Sequence, residues 1–234
     1  MYSGCFYAKG KKEDMNNAIL SCRKLNKRLG NTVAVDKISY EFESSHFYAI
    51  KGHHGAGKST FLQILGLLED SDNGSVYIDG KDVSKLSDKK KAKYRQKYFG
   101  YIFGKPLLNE KFTVLENLML PMLLTRSKSE AKESAEELLK IIKLHDKKDC
   151  YPSELIKGER QQVAVMRAFV NSPECIIADD PTSGLNSREE KIIFEILKDY
   201  ATQSGKCVIC VTESKEVEKY ANSVLIYEKG GLYK

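Results

Sequence analysis

The 234-residue chain has no run approaching 18 uninterrupted apolar residues, so no stretch is expected to cross a membrane unaided. Its start, Met1-Tyr2-Ser3-Gly4-Cys5-Phe6, lacks the charged n-region and apolar h-region of a secretory leader, which makes the cytoplasm the expected compartment. Redox or zinc chemistry is scarcely provided for. Of six cysteines (5, 22, 150, 175, 207 and 210), only Cys207 and Cys210 have a C-x-x-C spacing, and Val208, Ile209 and Val211 make that stretch a buried strand rather than a capping turn. No recognition-helix pattern accompanies the basic residues, so no nucleic-acid partner is expected. The net charge of +6 is nonetheless uneven: eight Lys or Arg fall in 81–97 against Asp82 and Asp88. Such a patch suits a solvated surface or an acidic membrane face. With 41% apolar residues, the chain can bury the core of one large domain or of a domain carrying an inserted subdomain.

What is present is sharper. Gly52-His53-His54-Gly55-Ala56-Gly57-Lys58-Ser59-Thr60 lies between the apolar run 47–50 and Phe61-Leu62-Gln63-Ile64-Leu65, a strand–loop–helix context. Glycines at 52, 55 and 57 allow the backbone to wrap a phosphate chain, with N–H groups pointing inward beside a helix N-terminus. Lys58 would reach the outer phosphates and Ser59 would offer a hydroxyl to Mg²⁺. A glycine-rich turn holding Lys-Ser-Thr by chance is the plainer alternative, and the flanking strand and helix weigh against it. A nucleoside-triphosphate site is expected; no Asn-Lys-x-Asp run is present to read guanine.

Residues 1–18, polar and basic, read as a loosely ordered extension. Short strands are predicted at 18–22, 33–35, 38–42, 47–50 and 75–78, a helix over 89–96 and a strand over 99–103. Residues 105–170 change character and are expected to form an inserted helical region. Within it, Pro121 kinks or ends a helix begun near Leu115. Residues 129–144 form an amphipathic helix with Ala131, Ala135, Leu138, Leu139 and Ile142 on one face. Alternation then resumes, with strands at 175–178, 207–212 and 223–227 and helices at 189–200 and 213–220. That pattern predicts an α/β fold with a largely parallel sheet. Cys175-Ile176-Ile177-Ala178 ends in Asp179, placed at a strand terminus where a carboxylate can hold Mg²⁺ beside Ser59. Asp180 follows, in reach of an attacking water or serving the Pro181-Thr182 turn, and Thr182 or Ser183 is a candidate helix cap.

Taken together these runs resemble the nucleotide-binding subunits of ABC transporters across roughly residues 19–233. Besides the loop at 52–60, the likeness rests on Gly100-Tyr101-Ile102-Phe103, Thr113-Val114-Leu115-Glu116-Asn117, Tyr151-Pro152-Ser153-Glu154-Leu155, Gly158-Glu159-Arg160-Gln161-Gln162-Val163-Ala164 and Asp179-Asp180-Pro181-Thr182-Ser183-Gly184-Leu185. The wording is similar to the subgroup serving lipoprotein release, macrolide export and antimicrobial-peptide export. The resemblance implies a P-loop NTPase core with a small antiparallel β part and a helical subdomain near 105–170. It also implies ATP and Mg²⁺ as cofactors, a second ATP-binding subunit (identical or not) closing head-to-tail, and an integral-membrane permease at the inner face of the membrane. Phe103, Leu107, Leu108 and Phe112 would be apolar contacts for that permease. A regulatory ATP-dependent clamp without transport is the alternative.

Against the family pattern, several positions have changed. The signature, usually Leu-Ser-Gly-Gly-Gln or -Glu, reads Leu155-Ile156-Lys157-Gly158-Glu159: Ile156 has no hydroxyl, and Lys157 adds a side chain where glycine allows close approach. The usual glutamine after Gly-Tyr-Ile-Phe is Gly104. The general-base glutamate is Asp180, its carboxylate about 1.5 Å short, and a misplacement of about 1 Å costs on the order of 10²-fold in rate. Asn186 replaces an aspartate, Glu213 a switch histidine, and Leu29 the aromatic that stacks on adenine. These changes predict a chain that binds Mg-ATP and hydrolyses it poorly.

Overall fold

A computed structural model describes residues 18–234; the expected extension lies outside them except for residue 18. The chain begins with a long hairpin, β1 (Ala18–Leu29) and β2 (Thr32–Glu43), followed by β3 (His46–Lys51), α1 (Lys58–Leu65), β4 (Asn73–Ile78), β5 (Lys81–Asp82), α2 (Asp88–Tyr98) and β6 (Phe99–Phe103). Helices α3 (Val114–Met122), α4 (Lys128–Ile141) and α5 (Lys157–Phe169) come next. The chain then runs through β7 (Cys175–Asp179), α6 (Ser187–Ser204), β8 (Cys207–Val211), β9 (Ser223–Glu228) and β10 (Gly231–Tyr233). A four-stranded antiparallel sheet has the order β2-β1-β4-β5, and a six-stranded sheet the order β10-β9-β3-β8-β7-β6, parallel except at β10. The α/β architecture with a mostly parallel sheet and an antiparallel part is therefore present.

The six-stranded sheet separates two apolar cores, and the alternation of side chains along each strand sorts residues between them. Phe47, Ala49, Ile176, Ala178, Val208 and Cys210 face a core shared with α3 to α6. Tyr48, Ile50, Cys175, Ile177, Cys207 and Ile209 face the core beneath α1 and the antiparallel sheet. Cys207 and Cys210 thus point to opposite faces, which rules out pairing between them despite their spacing. Burial pushes both thiols up, toward the inert protonated form.

Local chemistry redraws several predicted boundaries. The segments at 33–35 and 38–42 are one strand, β2; Lys37 (φ 50°) bends it and Lys24 (φ 48°) bends the neighbouring β1, and the irregular register breaks the period-two signal. Pro121 lies one residue before the end of α3, so the helix simply stops, while a reciprocal Thr113–Glu116 box opens it. Helix α4 ends three residues earlier than expected, because Lys143 turns left-handed (φ 59°); its predicted apolar face is buried throughout. The helix expected over 213–220 is only a 3-10 turn at Glu216–Lys219. Here Thr212 Oγ1 takes the Ser214 N–H and Ser214 Oγ takes the Glu216 N–H, diverting donors a helix would use.

Candidate functional site

The loop between β3 and α1 owes its shape to close backbone packing. A Cβ on Gly52 would overlap the Tyr227 carbonyl, and one on Gly57 would overlap the Ala34 carbonyl; Gly57 is also left-handed (φ 102°). Tyr227 Oη donates to the same Ala34 oxygen at 2.7 Å. The loop is thereby clamped between β2 and β9. No side chain caps α1, whose cap residue is Gly57, so the N–H groups of its first turn are not taken up by a capping side chain.

Lys58 is buried, and its Nζ donates to the carbonyl oxygens of Gly52 and His53, each at 2.7 Å. Glu213 Oε1 stands 3.7 Å from the same nitrogen. Ser59 Oγ donates to Asp179 Oδ1 at 2.9 Å, joining the start of α1 to the end of β7. Burial raises the Asp179 carboxyl above its ordinary value, assisted by the charge of Asp180 and opposed by the Ser59 hydrogen bond and by Lys58. Asp180 is itself left-handed (φ 49°); its N–H donates to Val211 O at 2.8 Å, and Oδ1 accepts from Thr212 Oγ1 at 3.3 Å.

These groups line a cavity of about 630 Å³, a size suited to a nucleotide. His54, Gly55, Gly57, Lys58, Ser59 and Thr60 form one wall, and Gly104, Asp179, Asp180 and Glu213 another. Leu29, 52% exposed at the hairpin tip, completes the rim with Thr32 and Ala34, two residues that no sequence pattern singled out. Ser59 and Asp179 supply the hard oxygen donors that Mg²⁺ takes. Among the described residues no cluster of three His, Cys, Asp or Glu side chains stands ready for a metal.

The remaining predicted residues are elsewhere and otherwise occupied. Leu155 is buried, Ile156 is 64% exposed, and Gly158 sits under the Glu189 side chain. Glu159 accepts the Ile156 N–H at 3.2 Å and pairs with Lys147. The exposed Lys157 lays its amine against Gly184 of the same chain, across the loop that follows Asp180. Asn186, and neither Thr182 nor Ser183, caps α6: its Oδ1 accepts the N–H groups of Arg188 and Glu189, and Glu189 returns a bond to the Asn186 N–H. Of the apolar contacts expected for a permease, Leu107 is exposed, whereas Leu108 belongs to the core.

Two buried amides from the runs at 113–117 and 158–164, to which sequence reading assigned no bonding role, organise this region. Gln161 Nε2 donates to Phe103 O at 2.9 Å and Pro181 O at 2.7 Å, stapling the end of β6 to the turn after Asp180. Gly104 permits that approach: a Cβ there would lie 2.8 Å from Asp180 O and 3.1 Å from Ser183 Cβ. Asn117 Nδ2 donates to Asn109, Phe112 and Thr113 carbonyls while its Oδ1 accepts the Asn109 N–H, fixing the segment beyond Gly104 to α3.

The profile of the ABC transporter family matches residues 35–183. A lipoprotein-releasing system ATP-binding protein, LolD, of Treponema denticola is 38% identical over 201 residues, covering 86% of this chain and 89% of that protein. The macrolide export ATP-binding/permease protein MacB of Mannheimia succiniciproducens is 38% identical over 217 residues, covering 91% of this chain and 34% of MacB. Among solved structures, the dimeric post-hydrolysis state of the ATP-binding cassette MJ0796 bound to ADP and Pi superposes with a TM-score of 0.85 at 30% identity, covering 92% of this chain and 97% of that one. With a clamped phosphate loop, a carboxylate at the adjoining strand end and these likenesses, the chain belongs to the ABC transporter family, as an ATP-binding subunit.

Proposed function

We propose that this chain holds Mg-ATP with Lys58, Ser59 and Asp179, hydrolyses it slowly, and passes the resulting closure to an integral-membrane permease. A second ATP-binding subunit would complete each nucleotide site, with the assembly peripheral to the inner face of the membrane. Two printed likenesses support this arrangement: MJ0796 is a dimeric cassette, and MacB joins ATP-binding and permease parts in one protein. The similarity to lipoprotein-releasing and macrolide-export proteins favours transport over a regulatory clamp. No described helix is long and apolar enough to cross a membrane.

The observation carrying slow hydrolysis is the contrast inside one cavity. The groups that would hold phosphate and cation are clamped, whereas the position facing the terminal phosphate presents Glu213, and the short Asp180 carboxylate is engaged by Thr212. A carboxylate there opposes the charge that develops on the phosphoryl oxygens as water attacks. The test is nucleotide binding and phosphate release by purified chain, alone and with its membrane subunit. Binding that is lost in Lys58→Ala, with slow release, is expected; fast turnover by the chain alone, abolished by Lys58→Ala, overturns it.

A further inference from the structure

We infer that Glu213 is a specificity-determining residue that makes this site favour a nucleoside diphosphate over the triphosphate. The inference rests on the nucleotide-binding reading above and concerns which nucleotide the site prefers. Lys58 is the cation of the phosphate loop, and its ammonium is already shared among two carbonyl oxygens and the Glu213 carboxylate. Those carbonyls belong to the loop itself, at Gly52 and His53. Glu213 is different: it arrives from the segment after β8, on the opposite wall of the cavity, and supplies a full negative charge 3.7 Å from the nitrogen.

A phosphate-loop lysine reaches the β- and γ-phosphates. The inner phosphates of a bound nucleotide are cradled by loop N–H groups, which Glu213 does not touch. A γ-phosphate must share Lys58 with Glu213 and sit beside its carboxylate, with Asp179 and Asp180 adding negative charge from the same wall. Glu213 thus acts as an internal anion beside the place of the terminal phosphate; a diphosphate shares Lys58 with it through the β-phosphate but brings no third phosphate against its carboxylate. The side chain is 60% exposed, so it can swing aside at the cost of its ion pair, and the triphosphate is disfavoured rather than barred.

The experiment is calorimetric titration of the purified full chain with ADP and ATP, each with Mg²⁺ and with chelator. The proteins are wild type, Glu213→Gln, and Glu218→Gln as a control that removes a carboxylate paired with Lys51 instead. Glu213→Gln is expected to improve the ATP-to-ADP affinity ratio by roughly ten-fold, a screened like-charge effect, chiefly by tightening ATP, with chelator as well as with Mg²⁺; Glu218→Gln should leave the ratio unchanged. An equal shift for both nucleotides overturns the inference while leaving nucleotide binding intact. So does a Glu213→Gln variant that binds ATP more weakly in Mg²⁺, which would make Glu213 part of the cation's surroundings. No binding of either nucleotide by the folded wild type overturns the underlying reading, and the inference with it.

Discussion

The phosphate loop and the segment at the start of α5 are both helix N-termini, and they have been treated in opposite ways. Around α1 the first turn is left uncapped, the loop is pressed between the Tyr227 and Ala34 carbonyls, and Lys58 and Ser59 look into a cavity. Around α5 the polar groups are turned back on their own chain: Glu159 bonds the Ile156 N–H, Lys157 covers Gly184, and the exposed tip is the apolar Ile156. One terminus keeps its donors free for a phosphate, and the other has used its side chains to complete the fold. An altered phosphate loop would therefore cost this chain both stability and nucleotide binding, whereas the side chains at the start of α5 serve contacts within the chain.

The sharpest way to break that contrast is at the two glycine and lysine positions. Gly57→Ala must both adopt φ near 102° and push against the Ala34 carbonyl. It should lose roughly 3 kcal/mol, about 6–12 °C in Tm at this chain length, together with nucleotide binding. Differential scanning calorimetry and titration read the two losses separately. Lys58→Ala should lose nucleotide affinity by about 100-fold or more, the scale of removing a buried charge partner, whereas Lys157→Ala in the same assay should stay near wild type. Comparable losses from the two lysines would erase the distinction between the termini.

How much of this could be read from the sequence differs in the same way. The loop at 52–60 and Asp179 were legible because glycine, lysine and an apolar strand ending in a carboxylate each carry a specific physical requirement at a fixed spacing. The parallel sheet was legible from strand–helix alternation, and the faces of β3, β7 and β8 follow from period two. The bends at Lys24 and Lys37 were not, since bulges break that period without leaving a residue signature. Asn186 read as a changed motif position and is in fact the α6 cap. Gln161 and Asn117 stood inside the family runs at 158–164 and 113–117, but their bonding was not legible, because a buried amide's value lies in the carbonyls that tertiary folding brings to it, here Phe103, Pro181, Asn109 and Phe112.

Gln161 links the two regions, rooted in α5 and bonded beside Asp180. Gln161→Leu keeps the volume and strands two carbonyls, so a loss of about 2 kcal/mol is expected by urea denaturation, with a drop in turnover larger than any change in nucleotide affinity. An equal fall in both would mean that the staple merely supports the fold. Asn186→Ala, which removes a cap from the far side of the same loop, should cost about 1 kcal/mol, and Asn186→Asp should retain most of it; a nearly unchanged melting point for the alanine variant would refute the capping role.

The smallest effect runs against intuition. In the nucleotide-free chain, burial and the charge of Asp180 favour the protonated form of Asp179 and make its ionisation costly. A carboxyl whose folded pKa is raised above its unfolded value of 3.8 contributes stability below that unfolded value and loses the contribution as pH rises through the folded one. At pH 7 its charge is therefore a cost, relieved only in part by Ser59 and Lys58. Asp179→Asn should melt about 1–2 °C higher than wild type at pH 7, on the order of 0.5 kcal/mol, with the advantage vanishing as pH falls toward 4. Adding Mg-nucleotide should reverse the ranking, because wild type gains a cation for the carboxylate and the variant does not. A variant less stable at pH 7 without nucleotide would place the main value of Asp179 in the Ser59 hydrogen bond; the expected crossing of the two melting curves would place it in the ligand, with the carboxylate held in a costly position until a cation arrives.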